Sequence, residues 1–104
     1  MKAPDPLSER ARSLAELREI PGIGPSLARD LYSLGIRRVA DLKRRSPEKL
    51  YRHLEQLTGS RQDPCVLYTF RCAVYYARTP KPNPRLLLWW NWKDEKKPVR
   101  KSGR

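Results

Sequence analysis

The sequence predicts an all-α domain, a compact bundle of about five helices. Three observations lead to this prediction. Apolar residues recur at helical spacing, proline follows a polar capping residue at two helix starts, and segments with the alternation of a strand are nearly absent. We predict a single domain over residues 1–92, with a helical hairpin at 13–35, and a flexible basic tail over 93–104.

The hairpin prediction comes from two helical patterns that a short break separates. Leucines and Ile20 at helical spacing predict a first helix, which Pro21 and Gly22 end. Pro25 fits the first turn of the next helix, where its missing N–H is no loss. The apolar face of that second helix is formed by Leu27, Ala28, Leu31 and Leu34, and Gly35 suits a left-handed cap.

Three further helical segments are predicted before residue 79. The first is the short stretch RRVADLKRR, and the second begins at Ser46–Pro47 and ends at Gly59, with Leu50, Tyr51, Leu54 and Leu57 on one face. The third follows Asp63–Pro64 and reads CVLYTFRCAVYYA. It is apolar on nearly every side, which is typical of a central helix. Its composition also suits a buried strand, but its length and its cap favour a helix.

A tryptophan-rich strap, residues 85–92, follows the proline-rich connector TPKPNP. Its tryptophans, Trp89, Trp90 and Trp92, have two interpretations. Aromatic rings beside basic residues can stack on unpaired bases. In so small a domain they can instead cover the central helix, and we favour this, with Trp92 left partly exposed.

The net charge of +12, from 23 basic and 11 acidic residues, favours a polyanionic partner. Nucleic acid is the first candidate, while anionic lipid or simple solubility are the alternatives. No signal peptide or membrane-spanning run is present. Cys65 and Cys72 lie two helical turns apart, about 10 Å and too far for a disulfide, so we expect buried free thiols and a cytoplasmic protein.

The segment IPGIGPSLARDL, residues 20–31, predicts an anion site. We expect Gly22 and Gly24 to adopt backbone angles closed to other residues and to leave the main chain bare. Amides of the turn and of the helix start can then converge on a phosphate, with Ser26 and Arg29 close by. Such contacts read no base sequence. A tight structural connection is the alternative interpretation.

This pattern resembles the helix-hairpin-helix motif of DNA repair and recombination proteins, and GIGPSLAR resembles the hairpin of DNA polymerase beta. The resemblance implies phosphate contacts from the amides of Gly22, Gly24, Ser26 and Leu27. It also implies that the carbonyls of Arg18, Ile20 and Ile23 hold a monovalent cation, K+ or Na+. The predicted phosphate-binding loop is therefore Gly22, Ile23, Gly24, Pro25, Ser26 and Leu27, with Arg29.

A second resemblance covers residues 14–94. The blocks GIRRVADLKRRSPEKLY, CVLYTFRCAVYYAR and WWNWKD are similar to those of a small bacterial "pathogenicity locus" family. That resemblance implies a compact SAM-like helical fold with one helix-hairpin-helix, and it brings no known reaction. A similar hairpin in competence regulators leaves a regulatory role open.

The remaining polar residues predict binding and no catalysis. The cluster Arg37, Arg38, Lys43, Arg44 and Arg45 follows the hairpin and can extend a phosphate-binding surface, or else form an ordinary solvated face. His53, the single histidine, is expected on an exposed helix face. No zinc spacing and no set of nucleophile, base and orienting group is found.

The sequence thus predicts a non-enzymatic, cytoplasmic protein that binds duplex or branched DNA without sequence specificity. Apart from the K+ or Na+ ion it predicts no cofactor. The role expected is that of an accessory factor in repair, recombination or regulation, acting with a protein partner or as a homodimer. The alternative is a protein-interaction module that docks onto a larger enzyme or regulator.

Overall fold

Four α-helices and three 3-10 turns make up the described part of the chain. The structure, a computed structural model, describes residues 6–93, with side chains from residue 9, and no strand occurs in that range. The helices are α1 (Pro6–Leu17), α2 (Pro25–Ser33), α3 (Pro47–Thr58) and α4 (Pro64–Arg78), and the 3-10 turns are Val39–Leu42, Pro84–Leu87 and Trp89–Trp92. The predicted all-α fold is confirmed, but the short segment after α2 is a 3-10 turn. The predicted tail, residues 93–104, lies outside the described residues apart from Lys93.

Helix starts follow the predicted chemistry of a polar cap and a proline. Ser46 accepts a hydrogen bond from the Lys49 amide at 3.3 Å, and Asp63 accepts one from the Cys65 amide at 2.8 Å. The same device begins the Pro84–Leu87 turn, where Asn83 accepts from the Arg85 amide. These bonds satisfy amides that the first turn of a helix leaves unpaired. Hydrogen bonding from Cys65, mainly from its amide and then from its side chain, also holds the pKa of Asp63 below its ordinary value.

Helix α4 is the centre of the bundle, as predicted. It contacts α3, the Val39–Leu42 turn and both 3-10 turns of the strap. Five of its residues are buried, among them Phe70, Ala73 and Val74. The strand alternative for this segment is therefore wrong, because a helix apolar on most faces can be covered from several sides at once.

The hairpin packs α1 against α2 through Leu17, Ala28 and Leu31, all fully buried. Helix α1 ends at Leu17, earlier than the predicted end at Ile20. The amides of Glu19 and Ile20 donate to carbonyls three residues back, which tightens the chain into a turn. This turn directs Ile20 into the core. Ile20 is therefore apolar because it anchors the loop, although it does not belong to α1.

The strap lies across α4 and is fixed to it by side chains. The Cys72 thiol donates to the Leu86 carbonyl, Arg71 Nη1 donates to the Trp92 carbonyl, and the Tyr75 hydroxyl accepts from the Asn83 amide just before the strap. Within the strap, the Trp92 indole also donates to the Leu86 carbonyl. Trp89 and Trp92 are half-buried, so the prediction that the strap covers the central helix is confirmed. The most exposed tryptophan is Trp90, at 49 %, which the sequence did not single out.

Two residues expected in the core are exposed. Cys65 lies at the surface, and Leu57 is 53 % exposed. Each is in a terminal turn of its helix, beyond the stretch that neighbouring elements cover. Cys72 is buried, both thiols are free as predicted, and burial raises the pKa of Cys72 to about 11.

This difference predicts two classes of thiol. At neutral pH a disulfide reagent should titrate Cys65 in the folded protein, and Cys72 only after unfolding, because burial disfavours the thiolate and blocks access. Absorbance of the released chromophore measures both classes. The Cys65→Ser variant should lose the native-state reaction, and rapid reaction of that variant without denaturant would contradict the burial of Cys72.

Candidate nucleic-acid interface

The loop between α1 and α2 is a tight turn held by two buried isoleucines. Ile20 and Ile23 are 1 % and 4 % exposed, and the Ile23 amide donates to the Ile20 carbonyl at 3.0 Å. Gly22, between them, has φ +88°, a left-handed conformation that favours glycine. Gly24 has φ −92° and ψ −170°, which any residue can adopt, so the expectation of special backbone angles is confirmed at Gly22 and wrong at Gly24.

Four amides of this loop and helix start have no acceptor among the described residues. They belong to Gly22, Gly24, Ser26 and Leu27, the same four that the helix-hairpin-helix resemblance implies. The first bond of α2 runs from the Ala28 amide to the Gly24 carbonyl at 2.9 Å. The Gly24 cap has no side chain to offer, whereas Ser46 and Asp63 cap their own helices. The positive end of α2 is therefore left to water or to an anion.

Space around the two glycines differs. A methyl group at Gly24 would meet no atom within 4 Å, so the main chain there is open to an approaching group. A methyl group at Gly22 would lie 3.4 Å from Thr69 Cγ2 and 3.6 Å from Trp89 Cδ1. Both glycines are exposed, but an added side chain would meet α4 and the strap at Gly22 and open solvent at Gly24.

The other predicted loop residues contribute unequally. Ser26 and Arg29 are exposed and free to approach a ligand. Ile23 is buried with its amide already bonded, and Pro25 has no N–H, so neither supplies a hydrogen-bond donor. Asp30 follows Arg29, and its pKa is raised by burial, with the Arg29 charge opposing the shift.

The carbonyls predicted to hold a monovalent cation differ in their hydrogen bonding. Those of Arg18 and Ile23 accept no hydrogen bond from the described residues, and that of Ile20 accepts one from the Ile23 amide. Carbonyl oxygens are suitable ligands for K+, so the donor set fits such an ion chemically. The K+ or Na+ site stays a prediction. Within the described range, no group of three or more His, Cys, Asp or Glu could hold a metal.

The predicted basic cluster divides into two parts. Arg37 is fixed on the end of α2, since its Nη1 donates to the Tyr32 carbonyl at 2.8 Å and its guanidinium lies 3.9 Å from the Tyr32 ring centroid. The amides of Arg37 and Arg38 donate to the Asp41 carboxylate. The second part is Lys43, Arg44 and Arg45, where the Lys43 carbonyl accepts from Arg78 Nε at 2.7 Å.

The first part does not lie beside the loop amides. Helix α2 has nine residues, so its ends are about 13 Å apart, with the free amides at one end and Arg37 at the other. Arg10 of α1 also stacks on Tyr32, at 5.1 Å, and extends the positive charge at that end. Arg10 was not among the site residues predicted from the sequence. The predicted hairpin could have indicated it, because two antiparallel helices bring the start of α1 beside the end of α2.

These features define the protein as an all-α domain that contains a helical hairpin. Its residues 10–98 match a family model, Cdd1, whose description is "Pathogenicity locus". The match covers most of the chain, so the protein belongs to this family, and the predicted family is confirmed. The likeness of the loop to the hairpin of DNA polymerase beta stays a prediction.

A named relative covers a similar part of the chain. The chain is 34 % identical over 83 residues to the mitomycin resistance protein McrB of Streptomyces lavendulae. The aligned residues make up 80 % of this chain and 75 % of McrB. No solved structure matches the chain significantly. No helix within residues 6–93 has the length and apolar character needed to cross a membrane.

The loop geometry predicts different stability effects at its glycines. Gly22→Ala should lower the free energy of unfolding by about 1–2 kcal/mol, because alanine is strained at positive φ. Gly24→Ala should cost about 0.5 kcal/mol or less, since only cap preference changes. Urea unfolding followed by far-UV circular dichroism measures both. Equal losses in the two variants would contradict the geometry described for the loop.

Proposed function

We propose that the protein binds DNA through backbone phosphates at the hairpin loop, without reading base sequence, as an accessory factor in repair, recombination or regulation. The observation that carries this proposal is the set of four amides without protein acceptors at an uncapped, sterically open helix start. Amides at such a position, aided by the helix dipole, bind phosphate oxygens. The proposal gives this chain no reaction of its own.

The distribution of charge supports the same ligand. Arg29 is exposed on the first turns of α2, and Arg10, Arg37 and Arg38 add cations at its far end. A duplex backbone that runs along α2 would meet the amides first and these arginines about 13 Å further on, near four base-pair steps. One hairpin contacts few phosphates, so we expect weak binding that a partner or a second copy strengthens. A K+ or Na+ ion on the loop carbonyls would add charge at the same place.

The named relative gives the proposal a physiological context. McrB is named for resistance to mitomycin, and we infer a related protective role for this protein, exerted at DNA. The cytoplasm or nucleoid would be its location. Comparison of the dissociation constants for duplex, gapped and branched DNA, measured under one set of conditions, identifies the preferred substrate.

Substitution of Gly24 tests the phosphate site without breaking the fold. Gly24→Asp places a good helix cap on the free amides, so stability should hold or rise. DNA affinity should fall about tenfold or more, because like charges about 4 Å apart repel by about 1–4 kcal/mol at a protein surface. Fluorescence anisotropy with labelled duplex measures the affinity.

Two control variants complete this experiment. Gly24→Asn has the same shape and the same capping ability without the charge, so it should weaken binding less. Ser60→Asp adds the same charge at an exposed position between α3 and α4 and should leave affinity nearly unchanged. Unaltered DNA binding by Gly24→Asp would refute the hairpin as the phosphate site.

Salt dependence tests the proposed mode of contact. If about four phosphates are neutralised, affinity should fall on the order of a hundredfold between about 50 and 200 mM salt. The slope of log affinity against log salt, measured by the same anisotropy assay, gives the number of contacts. Binding that does not respond to salt would exclude a backbone-phosphate mode.

A second candidate function is docking onto a larger protein. It is favoured by the exposure of Leu88 and Trp90 on the strap, 39 % and 49 %. Apolar groups exposed together are typical of interaction surfaces. Association that persists at high salt and is lost in Trp90→Ser, with DNA affinity unchanged, would support this candidate over the first.

A further inference from the structure

A cleft of about 560 Å³ opens between α3, α4 and the strap, away from the hairpin loop. Its α4 wall includes Arg71, Tyr75 and Arg78, and its strap wall includes Trp92 and Lys93. The volume lies in the range of pockets that hold small molecules or single nucleotides. Nothing in the proposed hairpin function uses this cleft.

The cleft lies on the face of α4 opposite the hairpin. Residues 71, 74, 75 and 78 share one helical face, because each residue of an α-helix turns by about 100°. Thr69, which Gly22 approaches, projects from the opposite side. A ligand in the cleft therefore does not compete with a phosphate at the loop.

An aromatic pair in the cleft is held rigidly. The rings of Tyr75 and Trp92 are 5.5 Å apart, tilted by 45°. The Tyr75 hydroxyl accepts from the Asn83 amide at 2.9 Å, and Trp92 Nε1 donates to the Leu86 carbonyl at 2.8 Å. A planar ligand that stacks here meets side chains already ordered, so little conformational entropy is lost on binding.

Positive charge flanks the aromatic pair on both sides. Arg71 pairs with Glu48 at 3.1 Å, and its Nη1 donates to the Trp92 carbonyl, which puts Lys93 near this end. Arg78 is seven residues further along α4, about 10 Å. Its Nε donates to the Lys43 carbonyl, and its Nη atoms have no acceptor within the described part of the chain. The one carboxylate of the cleft, on Glu48, is thus already paired.

We propose that this cleft binds a nucleotide, with the base against Trp92 and Tyr75 and the phosphate at Arg78 or Lys93. A flat ring joined to an anion matches an aromatic wall with cations at its two ends. The nucleotide is either free or an unpaired residue of a DNA strand. In the second case the protein would hold duplex at the hairpin and an unpaired base on its opposite face.

The test follows the indole N–H resonances of the 15N-labelled full chain. The Trp92 signal is the one that Trp92→Phe removes. Titration with deoxyadenosine monophosphate or with a short oligodeoxyadenylate should shift this signal more than those of the other two tryptophans. Arg78→Gln and Lys93→Gln should each weaken binding several-fold, and Trp92→Leu on the order of tenfold. Arg52→Gln, which removes an exposed charge of α3 outside this cleft, should have little effect.

Each outcome decides the inference. Tighter binding of the oligonucleotide than of the monophosphate identifies an unpaired strand, and equal binding identifies a free nucleotide. No shift at millimolar ligand, or equal losses in Arg52→Gln and Arg78→Gln, would overturn the site. Should Trp92→Leu not fold, the two charge variants suffice. Repeating the titration with Gly24→Asp separates the proposals, since loss of duplex binding there should leave cleft binding intact.

Discussion

The hairpin loop depends on the burial of Ile20 and Ile23 on either side of a left-handed glycine. The two side chains are buried in the core, and the main chain at Gly22 and Gly24 lies at the surface. Without that anchorage, amides at an uncapped helix start would sample many directions. Ordering them would then cost conformational entropy on binding and lower the affinity for the ligand. The bare backbone of Gly24 matters only because Gly22 and its neighbours hold it in place.

The same constraint links the loop to the C-terminal part of the described chain. Gly22 lies near Thr69 of α4 and Trp89 of the strap, since a methyl group on it would be 3.4 and 3.6 Å from their side chains. The strap is held on α4 in turn by bonds from Cys72 and Arg71, and Tyr75 holds the Asn83 amide just before it. The core is small, as is usual in a domain of this size, so the loop depends on elements far from it in the chain.

Local chemistry could be predicted from the sequence, and tertiary placement could not. Ser46 and Asp63 were identified as caps because capping involves residues only two or three positions apart. The end of α1 and the exposure of Cys65 depend on which neighbours cover each turn, which spacing does not reveal. Glycine is compatible with many conformations, so its presence at Gly24 did not give its angles. The cleft escaped notice because three separate segments form it.

The contact between Gly22 and Trp89 joins residues far apart in the chain. During synthesis, the helices of the hairpin can form early, since their contacts are local. The loop can approach α4 earlier, but the strap side of its surroundings is complete only after residue 89 has left the ribosome. Long-range closure of this kind slows folding, so we expect the loop to become rigid later than the helices beside it, and a nascent chain to expose its apolar central helix until the strap covers it.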